Sequence, residues 1–245
     1  MNIASAIQFG ALAVVAVFTL VRLPLAIQGR NPMLFWGLAA ATIGVALSIP
    51  SIYLPVDALL GGSNHANLVL RYATYGVVAL IGGSAAAAFQ APKVRRIILG
   101  LPGLVVLAAT AIATTVLFSM CDMPVSSPGL NGYINQEPVW AYAVLGRIYP
   151  AYIAACLIVP AFRVAATGRR PALLRVGSAL VGVALAEIVI WSALWVTGQQ
   201  TGVWDYILPH SSVIILTAGL AAVAVYGIAA KKKEKQSLLT HSYAR

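Results

Sequence analysis

The sequence predicts an all-α integral membrane protein with seven transmembrane helices, its N-terminus outside and its C-terminus cytoplasmic. Three observations predict it. The first is composition: of 245 residues, 60% are hydrophobic and only 9% are charged, against roughly 25% charged in a soluble domain. The second is length. Apolar runs cover residues 4–21, 33–54, 66–90, 97–120, 138–164, 172–197 and 206–229, and each as a helix is long enough for a hydrocarbon core of about 30 Å. Barrel strands would alternate polar and apolar residues over about ten positions, which these runs do not. The third is charge placement. Arg22 and Arg30, then Lys93, Arg95 and Arg96, then Arg163, Arg169, Arg170 and Arg175, then Lys231, Lys232, Lys233, Lys235 and Arg245 mark every second gap. The alternate gaps hold Asp57, Asp122, Glu137 and Asp205. Lys and Arg are retained on the cytoplasmic side, so the basic gaps face in. A multi-pass plasma-membrane protein embedded in the lipid bilayer is expected.

Each run has its own boundary signals. Before the first, Met1 to Phe9 contain no Lys or Arg and no small-residue cleavage site follows, so this run is expected to stay as a span. Gly29-Arg30-Asn31-Pro32 opens the second, with proline in the first helical turn, where its missing N–H costs nothing. In the third, Gly82-Gly83-Ser84 followed by Ala85 to Ala88 permits close approach of a neighbouring helix. Ala91-Pro92 begins the turn before the fourth. The longest connector, Cys121 to Glu137, lies outside and is rich in Pro, Gly, Ser and Asn. It reads as a polar connector, with a lid or partner surface as the alternative. Pro150 and Pro160 should kink or open the fifth run and free carbonyls near Arg147 and Cys156. Gly168-Arg169-Arg170-Pro171 opens the sixth. Trp36, Tyr53, Trp140, Trp195, Trp204 and Tyr206 fall near run ends, as interfacial aromatics do.

The chain therefore divides into a transmembrane domain, 1–230, and a basic cytoplasmic tail, 231–245. The basic turns at 29–32 and 168–171 each precede a Gly-Val-Ala-Leu at nearly the same offset, Gly44 to Leu47 and Gly182 to Leu185. This echo fits a weak repeat of three helices, one helix and three helices. Short inner turns between apolar helices converge on such sequences in any case, which is the plainer reading.

Several function classes are excluded. The loops leave no room for a soluble enzyme domain. No phosphate-binding Gly-rich loop ending in Lys-Ser or Lys-Thr is present, and no Ser/His/Asp set or nucleophile elbow. The seventh run has no lysine for a retinal Schiff base. No His pair stands at metal-ligand spacing, and neither Cys121 nor Cys156 has a Cys or His neighbour at such spacing. The two cysteines lie at different depths, which argues against a disulfide. No catalytic residue, cofactor or metal is expected, and the chain does not read as an enzyme. The net charge of +10 is explained by topology and anionic headgroups rather than nucleic acid, because no basic run is interleaved with aromatics.

The candidate binding residues are the polar groups within the runs, since burying charge in lipid is expensive. Arg147 lies about 13 Å from the outer end of the fifth run, and Glu187 about 15 Å from that of the sixth, at 1.5 Å per residue. These sequential antiparallel helices would normally pack, so an Arg147–Glu187 ion pair is expected. It either fixes helix register or forms a solute site in which Arg147 meets an anionic group. Arg71 sits about a turn inside the third run and His210 at a similar level in the seventh. With Asp57 and His65 they would rim an outer vestibule. Arg71 snorkelling to headgroups and His210 as an interfacial histidine are the plainer alternatives. Tyr149 shares a face of the fifth run with Tyr142, either lining a cavity or packing ordinarily.

Arg30-Asn31-Pro32, then Pro50, Tyr53, Asp57, Gly61 and Asn67-Leu68, resembles the second-to-third-span region of a family of actinobacterial multi-pass membrane proteins. Arg169-Arg170-Pro171-Ala172-Leu173-Leu174-Arg175 is similar to that family's basic turn before its sixth span. Members are described as transporters without an established substrate, and the resemblance implies that role here. Members often continue into a soluble C-terminal domain, whereas this chain ends soon after Lys231-Lys232-Lys233-Glu234-Lys235. The resemblance supplies no catalytic residue. The expected function is binding or moving a small polar or anionic solute through a pocket among runs three, five, six and seven. The alternative is a non-transporting sensor or partner subunit of another membrane protein, acting through the outer loop and basic tail.

Overall fold

A computed structural model describes the backbone of residues 3–30, 32–199 and 202–243, with side chains except at 3, 4, 131 and 231–243. The basic tail side chains and Asn31 of the first basic turn therefore lie outside the described residues. The helices are α1 (Ile3–Ile27), α2 (Pro32–Leu47), α3 (Pro50–Leu59), α4 (His65–Ala88), α5 (Pro92–Leu99), α6 (Leu101–Ser119), α7 (Glu137–Ala166), α8 (Ala172–Val196) and α9 (Trp204–Tyr243). A 3-10 turn covers Pro128–Tyr133, and no strand occurs among the described residues.

Six helical segments are long and apolar enough to cross a membrane, with α5 and α6 counting as one, Pro92–Ser119. The seventh differs from expectation. Residues 33–54 do not form one helix: α2 and α3 meet at a 96° bend. The reason is Pro50, which has no N–H to give Ala46 and whose ring clashes with that carbonyl. It forces Ile49 out of the helical region, to φ −90° and ψ 122°. Hydropathy alone reads across this break because both sides are apolar.

Packing follows chain order for the most part. α1 lies on α2 and α9, α2 on α4, α4 on α7, α7 on α8, and α8 on α9. These six helices close a ring, and α6 packs on α7 beside it. Small residues set the approaches, as expected for α4. A Cβ on Gly82 would fall 2.6 Å from Ile153, and one on Gly177 would meet the Gly219 carbonyl at 3.0 Å. Without a hydrophobic drive between helices in lipid, such contact is what holds them together.

A partly open cavity of about 270 Å³ lies among α2, α4, α7, α8 and α9. Thr74 and Thr217 are its sole hydroxyl side chains, and no charged residue lines it. The end of the bundle bearing the 121–137 connector is called the loop end below, and the opposite one the basic end.

Candidate functional site

At the loop end, α3 turns across the bundle and buries Asp57 completely. Its carboxylate accepts the backbone N–H of Asn64 at 2.9 Å and of Ala66 at 2.8 Å. These are N–H groups at the start of α4, which have no partner within the helix. Ser126 Oγ donates to the same carboxylate at 2.5 Å. Asn64, in the left-handed region at φ 62°, is equally engaged. It donates from Nδ2 to the carbonyls of Met123 and Val125 at 3.2 and 2.9 Å. Its Oδ1 accepts Tyr53 OH at 3.1 Å and Ser127 N–H at 2.7 Å. The long connector is thus fastened to α3 and α4. Asp57 does not rim a vestibule with His65, whose ring packs on Phe118 with centroids 5.7 Å apart.

One turn deeper, Arg71 leaves α4 toward α7 rather than toward headgroups. Its guanidinium stands 5.1 Å from the centroid of the Tyr142 ring. It crosses α7 at Gly146, where an added Cβ would lie 1.9 Å from Nη1. Two features of α7 make that slot. Gly146 has no side chain, and Pro150 four residues on has no N–H for the Gly146 carbonyl. The Tyr142 hydroxyl donates to Asn67 Oδ1 at 3.0 Å. Tyr149, on the same face, is buried edge-on to Tyr75 with centroids 5.5 Å apart, and its hydroxyl has no partner.

Arg147, one residue past the slot, points at α8. Its guanidinium stacks 3.8 Å from the Trp195 centroid and 4.6 Å from that of Trp191. It donates to the carbonyl of Ala143 in its own helix. Nε is buried without a partner, and so is Trp191 Nε1. Trp195 Nε1 donates to Asp205 Oδ1 at 2.9 Å. Asp205 attracts the guanidinium through space, and Arg71 repels it.

The expected Arg147–Glu187 ion pair is not formed. Ser211 of α9 donates to Glu187 Oε2 at 3.1 Å, and no described carboxylate touches Arg147. The correction is one of register. Ser192 Oγ faces the Arg147 carbonyl at 3.5 Å, so Arg147 stands level with Trp191 and Ser192. Glu187 lies a turn deeper on the Trp191 stripe, and the indole takes the place of the carboxylate. His210 closes the loop end elsewhere. Its Nδ1–H donates to the Tyr206 carbonyl at 2.7 Å, and Nε2 lies 3.5 Å from Ser48 Oγ at the end of α2.

None of Arg147, Glu187, Arg71, His210 and Tyr149 lines the central cavity. Their neighbours do: Leu70, Pro150, Ile188 and Val213 line it. The structure gathers Arg71 and Arg147 on adjacent faces of α7, with Glu187 and His210 on the α8–α9 side. Sequence reading missed Trp191 and Trp195 as ring partners, although with Glu187 they form a stripe at four-residue spacing. It also missed Asn64, for which the preceding Gly-Gly-Ser is the available signal of a turn. No described group of three or more His, Cys, Asp or Glu is placed to hold a metal ion. No family model matches the chain, and neither a curated protein nor a solved structure matches it.

Proposed function

We propose that this chain is a membrane protein that binds, and in its full cycle moves, a small anionic solute entering at the loop end. The observation that carries the reading is the pair of arginines, Arg71 and Arg147, met by aromatic rings and a backbone carbonyl but by no carboxylate in contact. Two positive charges at one level attract an anion, and the orphaned Arg147 Nε and Trp191 Nε1 add donors. Glu187, held by a serine hydroxyl, is a group to carry a proton during a cycle. The sensor or partner reading would use the outward face of the connector, including the exposed Pro124 and Val125, which Asp57 and Asn64 hold in one arrangement against α3 and α4. On this reading the loop end is extracellular and the basic end cytoplasmic.

The test is thermal unfolding of purified protein against short-chain carboxylates and inorganic phosphate. A ligand that binds the folded state alone raises the midpoint progressively with its concentration. Stabilisation lost in Arg147→Met is expected. No shift with any small anion, or an equal shift in Arg147→Met, overturns the reading. Orientation is checked on a Cys121→Ala, Cys156→Ala background. Pro124→Cys should label from outside intact cells and Thr167→Cys should not.

A further inference from the structure

Arg22 is a largely covered charge whose Nε is buried and whose terminal nitrogens stay accessible. It lies near the basic end of α1, 9% exposed, and its Nε has no hydrogen-bond partner. Among the described residues no carboxylate, carbonyl or aromatic ring meets its guanidinium. A guanidinium partly withdrawn from water without a counter-charge is costly, and an anion reaching its accessible nitrogens offsets that cost. The surroundings make it worse. Arg22 lines a pocket of about 80 Å³ between α1, α2 and α9, walled by side chains such as Phe18, Leu25, Leu34 and Ile228. Thr217 is the one other polar side chain in that wall. Arg22 and Thr217 can hold a water here, but a water brings no charge to answer the guanidinium. An anion supplies the missing charge directly.

The pocket also has a neighbour. Leu38, Thr217 and Leu220 line both it and the central cavity of about 270 Å³. A group bound at Arg22 therefore has a second apolar space on the far side of these three side chains, toward the middle of the bundle. We infer that Arg22 is the head-group site for an amphipathic anion, a carboxylate or phosphate bearing a single apolar chain that passes Leu38 and Leu220 into the central cavity. This site is independent of the small-anion site at Arg147, from which it differs in end, partners and ligand shape. The ligand is either a free amphiphile or the acidic head and one chain of a lipid from the basic-end leaflet.

The experiment uses the full chain in a neutral detergent and dodecyl phosphate as the probe, followed by thermal unfolding. The native chain should be stabilised by dodecyl phosphate, with affinity rising about fourfold per added methylene from octyl to dodecyl, the equivalent of ~0.8 kcal/mol. Dodecanol and inorganic phosphate should each bind at least tenfold more weakly. Arg22→Met should lose at least tenfold in dodecyl phosphate affinity, while Arg147→Met should keep it. Equal binding of dodecanol by the native chain overturns the proposal without any variant being needed. So does equal binding of dodecyl phosphate by Arg22→Met. If the Arg147 reading fails but this one holds, small anions give no shift while dodecyl phosphate still does. In phosphatidylcholine nanodiscs, displacement of the probe by added phosphatidic acid assigns the site to lipid, and no displacement assigns it to a free amphiphile.

Discussion

Asp57 and Arg22 are both buried charges, one at each end of the bundle, and their surroundings are opposite. Asp57 accepts two backbone N–H groups and a serine hydroxyl, and it joins α3, α4 and the 121–137 connector. Arg22 touches no described group that answers its charge and borders an apolar pocket. The comparison separates two uses of buried charge. A charge whose hydrogen-bonding capacity is met from within the chain holds the fold. On the proposal made for Arg22, a charge left unmet awaits something that arrives. Arg147 falls between them, stacked on rings, with one carbonyl partner and one orphaned nitrogen.

Asp57→Ala breaks the satisfied end most severely. It leaves the Asn64 and Ala66 N–H groups buried without acceptors, at a cost of about 3–5 kcal/mol in all. Thermal or denaturant unfolding in micelles reads this loss, and limited proteolysis should then cut within 121–137. A protected connector in the variant would show that Asn64 alone suffices.

The two indoles beside Arg147 sharpen the comparison within one helix. Trp195→Phe removes a hydrogen bond to Asp205 and should cost about 1.5–3 kcal/mol, the range for bonds to charged groups. Gly146→Ala should cost about 1–3 kcal/mol by overpacking, since the new methyl meets the Arg71 guanidinium. Trp191→Phe removes an N–H with no partner and should cost under about 1 kcal/mol, yet weaken small-anion binding. Unfolding midpoints with and without phosphate resolve all three. A stability loss for Trp191→Phe as large as that for Trp195→Phe would mean that its N–H already has a structural partner.

Much of the architecture is legible in the sequence, and the reasons are local. Apolar runs of sufficient length, basic turns ending in proline and the Gly-Gly-Ser of α4 place the helices. The bend at Pro50 is missed because hydropathy averages over a proline flanked by apolar residues, although the rule against proline within a helix was available. The site is harder to read. Depth along two helices suggests Arg147 opposite Glu187, but contact depends on rotation and slide, and a slip of one turn exchanges a carboxylate for an indole. The clamp at Asp57 joins residues up to 69 apart in sequence. No local pattern announces such a contact. Arg22 reads as a topology signal, and only the packing of α2 and α9 over it shows that it is covered.

The central claim is that unmet buried charge serves a ligand and met buried charge serves the fold. Its most direct test is the unfolding of Arg22→Met and Asp57→Ala side by side in neutral micelles without added anion. Methionine keeps much of the arginine's length and removes a charge that no described group balances. Arg22→Met should therefore be as stable as the native chain, or up to about 2 kcal/mol more stable, while Asp57→Ala falls by several. A loss in Arg22→Met as large as that in Asp57→Ala would contradict the account, because Arg22 would then be holding the fold like Asp57.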